Sequence, residues 1–298
     1  MTWEIKKNES HGFMEVIPKP SEEELNKYYA EKYYQQDKAT YSHHYEKEEL
    51  DYFSNKINEK WHIIDQYQKS QNLTYSSLCD IGCGEGFTLN HFFQLGWDVH
   101  GIDFSAYGLN QQHPALSEFF TEGDIFETIN DLVKSEKKFD VIWLDNVLEH
   151  VIAPNDLMQK CHQIVTENGI LVVEVPNDFS KLQMALKNKE KIQTEYWVAY
   201  PDHLSYFSRE SLASLGASCG WNCFRTMADH PIEYNLINDH SNYTIDRNKG
   251  KQAHKTRMFI DNFLHANNSL EDIVSYYTSL SKLNQGRQII AFFEKESE

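Results

Sequence analysis

The stretch LCDIGCGEGF, residues 78–87, ends an apolar run and then places three glycines one residue apart. A strand that turns into a helix through glycines presents free backbone N–H groups at the helix N-terminus, which favours a phosphate or a carboxylate. The dinucleotide pattern G-x-G-x-x-G would need a glycine where Phe87 stands. The stretch therefore predicts a nucleotide-like ligand on a parallel sheet and leaves the identity of that ligand open.

Strands and helices alternate after this loop. The apolar runs are SSLCDI, WDVHGIDFS, KKFDVIWLD and GILVVEVPND, and the helical patterns between them include GFTLNHFFQLG and NDLMQKCHQIVTENG, which end at Gly96 and Gly169. Continuous apolar strands between helices indicate a parallel sheet covered on both faces. We predict an α/β, Rossmann-like fold whose last strands are WNCFRTMAD and GRQIIAFFEKE.

Three segments lie outside this alternation. Ser21 and Glu24 form a capping box that opens a helix, so residues 1–71 are predicted to be a helical N-terminal extension ahead of a main domain over 72–298. Residues 181–200 resemble a lid. Residues 235–284 have helical character and are predicted to be an insert that covers the site of the second substrate.

The charge of the chain disfavours a polyanionic partner. The formal net charge is −17, and the basic clusters are small: Lys187 to Lys191 and Lys249 to Lys255. A nucleic-acid binder usually shows a basic face, because phosphate neutralisation supplies most of its affinity. We therefore expect a small molecule, or a neutral or basic partner, rather than nucleic acid.

The location of the protein is predicted from what the sequence lacks. No run approaches the length of a membrane span, and the N-terminus has no apolar signal-peptide core. The five cysteines are an odd count, which favours reduced thiols and a cytoplasmic protein. The oligomeric state is left open.

Acidic residues narrow the choice of ligand. Asp80, just ahead of the glycines, would face a pyrophosphate badly, but it suits an ammonium group. Asp103 follows the first glycine by about twenty residues, where a carboxylate binds both hydroxyls of a ribose. Asp124, in GDIF, is placed to accept a hydrogen bond from an adenine amino group. NAD and S-adenosylmethionine share the ribose, and the ammonium and sulfonium groups of the second favour it.

Together these motifs resemble the ordered motifs of class I S-adenosylmethionine-dependent methyltransferases over about residues 75–180. The resemblance implies S-adenosylmethionine as the cofactor and a seven-stranded sheet whose last strand is reversed. It also implies the residues that hold each part of the cofactor: Asp80, Gly82, Cys83 and Gly84 the methionine part, Asp103 with Phe104 beside it the ribose, Asp124 and Ile125 the adenine, and Asp145 and Asn146 a position near the methionine part.

The segment PDHLSYFS, residues 201–208, resembles one found in a metal-free subgroup that includes quinone-biosynthesis and sugar-modifying methyltransferases. A hydroxyl acceptor has to lose a proton, so a nearby base helps. We predict His203 as that base, with Asp178 and His150 as further candidates. Each has a plain structural alternative: a helix-capping, orienting or packing role.

A metal is not predicted. Asp145 with Asn177 and Asp178 could imitate the oxygen set that holds magnesium in catechol-type enzymes, but the VLEH pattern belongs to the metal-free subgroup. The two cysteine pairs are spaced by three residues, which does not match a zinc site.

These features predict transfer of a methyl group to a hydroxyl of a small or medium polar acceptor, with a sugar or polysaccharide precursor favoured. The alternatives are a quinone-type or aromatic O-methyltransferase, a protein methyltransferase and a non-catalytic scaffold. Three further groups of residues are candidates for contact with the ligands or for ordinary packing. In and near the insert they are polar: His230, Glu233, Asn235 and Tyr243. In the lid and the N-terminal extension they are aromatic: Tyr196, Trp197 and Tyr200 in the lid, and Tyr28, Tyr29, Tyr33, Tyr34, Tyr41 and Tyr45 in the extension.

Overall fold

The structure is a computed structural model that describes residues 3–25, 27–28 and 44–296. Its centre is a seven-stranded sheet in the order β5-β4-β3-β6-β7-β10-β9, and a smaller sheet has the order β1-β2-β8. The strands are β1 (Glu4–Lys7), β2 (Met14–Ile17), β3 (Ser77–Ile81), β4 (Asp98–Asp103), β5 (Phe120–Glu122), β6 (Phe139–Asp145), β7 (Val165–Pro176), β8 (Ser205–Tyr206), β9 (Trp221–Ala228) and β10 (Gln288–Lys295).

The helices lie on both faces of the large sheet. They are α1 (residues 22–25 and 27–28), α2 (Lys47–Ser70), α3 (Phe87–Gln94), α4 (Tyr107–Gln112), α5 (Ile125–Lys134), α6 (Pro154–Ile164), α7 (Lys181–Asn188), α8 (Arg209–Ser218), α9 (Lys249–Asn267) and α10 (Leu270–Lys282). Two short 3-10 helices cover Pro114–Phe119 and Ile232–Leu236.

Side chains that alternate along the strands pack into two apolar cores, one on each face of the large sheet. Ile142 and Leu144 of β6 pack with α5, α6 and α8, whereas Val141 and Trp143 pack with α2, α3 and α10. This period of two is what a strand buried on both faces requires. The predicted α/β fold is therefore confirmed.

The reversed last strand is also confirmed. β10 runs antiparallel to β7, with Ile290 opposite Glu174, and antiparallel to β9, with Ile290 opposite Met227. The other pairings of the large sheet are parallel. Strand order reverses between β3 and β6, so the carboxyl ends of these two strands flank the crevice where ligands bind in such sheets.

The N-terminal region differs from the helical extension predicted for residues 1–71. Residues 4–17 form a β-hairpin, and Met14 of its second strand pairs with Tyr206 of β8. The predicted capping box is present, because the Glu24 carboxylate and the Ser21 hydroxyl each accept from the other's backbone N–H. Tyr29, Tyr33, Tyr34 and Tyr41 lie outside the described residues. The hairpin was missed because its strands are only four residues long and half exposed.

One helix ends earlier than predicted. The sequence pattern predicts a helix up to Gly169, but α6 ends at Ile164 and β7 begins at Val165. Phe139 pairs with Val165 and Val141 pairs with Ile170, so the residues between form an irregular widening of the strand. A Cβ on Gly169 would lie 2.8 Å from the carbonyl oxygen of Asp140, so this glycine allows the two strands to approach.

The lid and the insert share a third apolar core. Leu186, Ile192 and Trp197 of the lid pack with Leu236, next to partly buried Tyr243. The helical insert is present as α9 and α10, which pack on α2 and β9. Across the described ranges, none of the helices combines the length and the apolar character that crossing a bilayer requires.

Candidate functional site

The loop between β3 and α3 has three glycines with positive φ, and they serve different purposes. A Cβ on Gly82 would lie 2.4 Å from Val147 Cγ2, and a Cβ on Gly86 would lie 2.3 Å from Leu109 Cδ1. A Cβ on Gly84 would meet no atom within 4 Å, although its φ is +53°. Gly82 and Gly86 thus let the loop pack closely, whereas Gly84 borders open space of the kind that a bound cofactor needs.

The backbone of the loop is tied to the neighbouring strand. The N–H groups of Gly82 and Cys83 both donate to the carbonyl oxygen of Ile102, at 2.7 and 3.1 Å. The Cys83 side chain is buried below the loop, where its sulfur would lie 3.0 Å from a Cβ on Gly101. The Cys83 thiol therefore packs against β4, and a contact between this residue and the cofactor stays a prediction.

Asp103 lies at the end of β4, beside the glycine loop. Its Oδ2 accepts from the Gly84 N–H at 2.9 Å, and its Oδ1 accepts from the Ser105 N–H at 3.1 Å. Burial raises the pKa of Asp103, and these N–H donors work against that rise. Phe104 follows with 45% of its surface exposed. The carboxylate and the ring are thus held where the sequence predicts the ribose.

A group of three carboxyls lies under the loop at the ends of β3, β6 and β7: Asp80 is buried, Glu174 is largely buried and Asp145 is partly exposed. Burial, and then Asp145 and Asp103, raise the pKa of Asp80 well above its usual range. Burial and Asp145 likewise raise the pKa of Glu174. These carboxyls sit beside each other in low dielectric, which disfavours their joint ionisation.

The counter-charge is Lys60, which reaches this group from α2. Its Nζ donates to Asp145 Oδ2 at 2.7 Å and also pairs with Glu174, and it lies 5.1 Å from the centre of the Trp143 ring. Burial works to lower the pKa of Lys60, but Asp145 and Glu174 outweigh it and raise the pKa. Asp80, Asp145 and Glu174 share this one lysine, so a ligand that brings an ammonium or sulfonium charge would favour their ionisation and fits the group.

Asn146 is held in a left-handed conformation at the end of β6, with φ +54°. Its side-chain amide donates to Asp145 Oδ1 at 2.7 Å, and its Oδ1 accepts from Gln288 Nε2 at 3.0 Å. The two residues predicted near the methionine part are therefore fixed by α2 on one side and by β10 on the other.

Asp124 has a structural role in addition to its predicted one. Its Oδ1 accepts from the N–H groups of Phe126 and Glu127, so it caps α5. Ile125 is half-buried beside it against the core. A capping carboxylate keeps a free oxygen, so the cap is compatible with the predicted hydrogen bond from an adenine amino group.

An N-terminal tyrosine contacts the glycine loop. The Tyr45 hydroxyl donates to the Glu85 carboxylate at 2.7 Å, and its ring packs edge-on against Phe53 and Phe87. Glu85 stands between Gly84 and Gly86. The segment before α2 thus covers one side of the predicted cofactor site.

His150 and His203 come together at the far end of β6. Their rings are perpendicular, with centres 4.8 Å apart, and the Nδ1 of His150 lies 2.7 Å from the carbonyl oxygen of Asp202. The backbone N–H groups of Leu204 and Ser205 donate to the Glu149 carbonyl oxygen. These bonds fix the segment after His203 against the turn that carries His150. The structure therefore unites two of the three predicted catalytic residues.

A metal-type donor group is present at the same place. Among the residues that the structure describes, the ligand atoms of Glu149, His150 and His203 lie within 4.8 Å of one another. Glu149 is buried, and burial followed by Asp178 raises its pKa well above the usual range. This group differs from the oxygen set weighed in the sequence, and the absence of a metal stays a prediction.

Asp178, the third catalytic candidate, forms an ion pair with Arg287, and Arg287 Nη1 lies 3.9 Å from Glu233 Oε1. Gln183 Nε2 donates to the same Glu233 oxygen at 3.2 Å, and the Tyr196 hydroxyl donates to it at 3.4 Å. Burial raises the pKa of Asp178, and Arg287 opposes that rise. A buried network thus joins the end of β7 to the lid, to the 3-10 helix Ile232–Leu236 and to Arg287.

The remaining predicted residues divide between lid and scaffold. Trp197 is buried against Phe179, Tyr243 packs on Tyr196, and Tyr200 stacks on Trp3 at 4.8 Å. His230 is buried next to the charged groups between α2 and α9, and the Asn235 amide donates to the backbone of the 3-10 helix. Glu233 and Tyr196 therefore belong to the Asp178 network, whereas His230 and Asn235 contact other parts of the protein.

Lys60 and Arg287 were missed in the sequence. Lys60 occupies a buried position of α2, with Ile57 three residues before it and Ile64 four residues after it, and a lysine on an apolar face could have indicated a buried charge. Arg287 precedes β10 in sequence and meets Asp178 across 109 positions, so no local pattern points to the pair.

Comparisons with known proteins agree with this geometry. Residues 41–225 match a family described as "Methyltransferase domain". The ubiquinone biosynthesis O-methyltransferase of Glaesserella parasuis serovar 5 is 33% identical over 125 residues, which is 40% of this chain and 52% of that protein. The chain thus spans about half the length of that relative. The enzyme of the same name from Rhodopseudomonas palustris strain BisA53 is 25% identical over 195 residues, 58% of this chain and 75% of that protein.

Two solved structures share the fold. The plantazolicin methyltransferase BpumL, in complex with a monoazolic desmethylPZN analog and SAH, is 16% identical with a TM-score of 0.53, over 92% of this chain and 94% of that one. The 1,6-didemethyltoxoflavin-N1-methyltransferase of Burkholderia thailandensis is 10% identical with a TM-score of 0.52, over 99% and 100%. The family match covers most of the chain and the loop, acids and reversed strand agree with it, so the chain belongs to the class I S-adenosylmethionine-dependent methyltransferases, and S-adenosylmethionine is its cofactor.

Proposed function

We propose that this enzyme transfers a methyl group to a hydroxyl of a small or medium polar acceptor, and that the acceptor is sugar-like. The observation that carries the proposal is the buried network of Asp178, Arg287 and Glu233, with Gln183 and Tyr196 bound to it. Hydroxyl-rich ligands are recognised by fixed donors and acceptors of this kind, because each unpaired buried polar group is costly.

The chain's own residues have a limited chemical task. The cofactor supplies a methyl group activated by its sulfonium centre, so the protein contributes position and exclusion of water. The acid group around Asp80 and Asp145 would hold the cofactor from below, and the lid would close over the acceptor. The apolar lid core of Leu186, Ile192 and Trp197 supports water exclusion.

His203 is our choice for the base that takes the proton from the acceptor hydroxyl. Its ring stands edge-to-face with His150, which is itself oriented by the carbonyl oxygen of Asp202. Asp178 is held by Arg287 in a buried ion pair, and a carboxylate committed to a guanidinium is a poor proton acceptor. We therefore assign Asp178 to orienting Arg287 and His203 to proton removal.

A second candidate is an aromatic acceptor of the quinone type. The curated relatives named above are ubiquinone biosynthesis O-methyltransferases. Aromatic rings also surround the lid: Phe179, just before it, packs edge-on against Trp197 of the lid and Tyr206 of β8, with centres 5.5 and 5.7 Å away. Such rings offer a surface for an aromatic substrate, although within the lid they already pack on each other.

The roles of His203 and Asp178 are separated by a matched pair of variants. The substrate is the small-molecule fraction of a host-cell extract, and the readout is transfer of radiolabel from S-adenosylmethionine. We expect His203→Gln to reduce transfer at least about a hundredfold, within the range for removal of a general base, and Asp178→Asn to reduce it less than about tenfold. Both variants should bind S-adenosylmethionine as the wild type does.

The pH profile gives an independent readout. If His203 is the base, the ascending limb of the profile disappears in His203→Gln and stays in Asp178→Asn. Unchanged turnover in His203→Gln would remove His203 from the mechanism. Mass analysis of the labelled product then separates a sugar-like acceptor from an aromatic one.

A further inference from the structure

The outward face of α9 carries a row of exposed side chains four residues apart: Lys251, Lys255, Phe259 and Phe263, which we call the α9 stripe. Residues four apart on a helix are neighbours on one face. Phe259 is 71% exposed and Phe263 is 55% exposed, and their rings lie nearly parallel with centres 6.4 Å apart. One end of the stripe is therefore basic and the other is aromatic.

The orientation of this face follows from what the opposite face does. Ala253, Met258 and Asp261 are buried, and Asp261 accepts hydrogen bonds from Lys56 of α2 and from Tyr277 of α10. Arg257 turns inward, 3.7 Å from Asp229. These buried contacts fix the rotation of α9 about its axis, so the α9 stripe faces away from the protein.

The charge of this segment is opposite to that of the chain. Residues 247–260 contain five Lys and Arg and no Asp or Glu, in a protein with 45 acidic residues and a net charge of −17. Lys251 and Lys255 are both exposed, as is Ile245 just before the helix, at 62%. The basic and the apolar exposure thus coincide on one helix.

Single exposed apolar residues need no explanation, but paired phenylalanines next to a basic run on one helix face do. Basic residues beside Phe on a surface helix are typical of segments that lie in the interface of an anionic bilayer. The lysines gain from the surface potential of the lipid, and the rings gain from burial at the acyl boundary.

We propose that the α9 stripe docks this protein on the surface of a bilayer that contains anionic phospholipid. The rest of the chain is strongly acidic, so an anionic surface repels it and selects the orientation in which α9 faces the lipid. This docking is peripheral and does not depend on which acceptor is methylated.

The test is sedimentation of the full-length protein with two kinds of vesicle, one of phosphatidylcholine alone and one with about half phosphatidylglycerol. We expect binding to the anionic vesicles, little binding to the neutral ones, and weaker binding at high salt. Lys251→Glu with Lys255→Glu should weaken binding at least about thirtyfold, from roughly tenfold or less per lysine together with the added repulsion. Phe259→Ser with Phe263→Ser should weaken it at least about tenfold and leave the salt dependence.

A matched control carries the same charge change elsewhere. Lys134→Glu with Lys138→Glu alters two exposed lysines, one at the end of α5 and one just before β6, and this double variant should bind vesicles within about twofold of the wild type. All variants should keep wild-type affinity for S-adenosylmethionine, which shows that they are folded. Any of three outcomes would overturn the proposal. The wild type does not bind vesicles, both stripe variants bind as tightly as the wild type, or the wild type is a dimer that only the phenylalanine variant dissociates.

Discussion

The two halves of the ligand site are built in different ways. The cofactor half consists of the glycine loop and the ends of β3, β4 and β6, and its contact between Gly84 and Asp103 joins residues about twenty positions apart. The acceptor half consists of the lid, the insert and the end of β7, and its key contact joins Arg287 to Asp178 across 109 positions. A site built from the ends of neighbouring strands can be predicted from the sequence, whereas a site built from charge pairs between distant residues cannot.

Lys60 crosses this division, because it binds from α2 into the cofactor half, and its loss should have the largest effect. Lys60→Met leaves the largely buried Glu174 carboxyl without a cation, which costs about 3 kcal/mol of unfolding free energy, and it also removes the partner of the partly exposed Asp145. We also expect weaker binding of S-adenosylmethionine. Urea unfolding and calorimetric titration measure the two effects.

The pH dependence of this variant has a definite sign. Burial and Asp145 raise the pKa of Glu174, so the folded chain keeps this proton at pH values where the unfolded chain has lost it. The contribution of Glu174 to stability therefore falls as pH rises from its unfolded pKa through its folded pKa. Without Lys60 the pKa of Glu174 rises further, and the loss of unfolding free energy in Lys60→Met should be larger at about pH 8 than at about pH 5.

The control for this variant is Lys47→Met, at an exposed position of the same helix, which should change the unfolding free energy by less than about 0.5 kcal/mol. A cost independent of pH would contradict this account of the charges.

Arg287→Met makes the corresponding change in the acceptor half. It leaves Asp178 buried without its partner, which again costs about 3 kcal/mol or more. The comparison between the halves predicts that S-adenosylmethionine binds to this variant as to the wild type, while the acceptor KM rises at least about tenfold. A loss of cofactor affinity equal to that of Lys60→Met would show that the two halves are not separable.

Two glycines of the loop, Gly82 and Gly84, should differ in how much they contribute to stability and to cofactor binding. Gly82→Ala should cost about 2–3 kcal/mol, because it adds a Cβ that would lie 2.4 Å from Val147 to a backbone with φ +74°. Gly84→Ala should cost about 1 kcal/mol from its backbone alone and should reduce cofactor affinity more than stability. Thermal unfolding and calorimetry distinguish the two. Equal losses of stability would mean that Gly84 is packed like Gly82.

The smallest expected effect concerns the N-terminal cover of the loop. Tyr45→Phe removes the hydrogen bond to Glu85, worth about 1 kcal/mol, so cofactor affinity should fall about fivefold. Tyr276→Phe, on the exposed side of α10, is the control and should leave affinity unchanged. An unchanged affinity in Tyr45→Phe would mean that this segment does not close on the cofactor.

The strand pattern and the insert were predictable because apolar runs and glycine turns are local, whereas the reversal of β10 followed from the resemblance to the family. The hairpin of β1 and β2 was not, since four half-exposed residues lack a clear period and their partner, Tyr206, is far along the chain. In the site, the aspartates at strand ends follow from the topology of the sheet. The contact between His150 and His203 joins residues some fifty positions apart, and neither the resemblance nor the spacing indicated it.

The most direct test of the central claim is transfer of radiolabelled methyl groups from S-adenosylmethionine into a host-cell extract separated by size, with Asp103→Ala as the control. This account predicts label in the small-molecule fraction with the wild type and almost none with Asp103→Ala. Label in protein or RNA would contradict the proposed class of acceptor, and cofactor binding without label in any fraction would favour a non-catalytic scaffold.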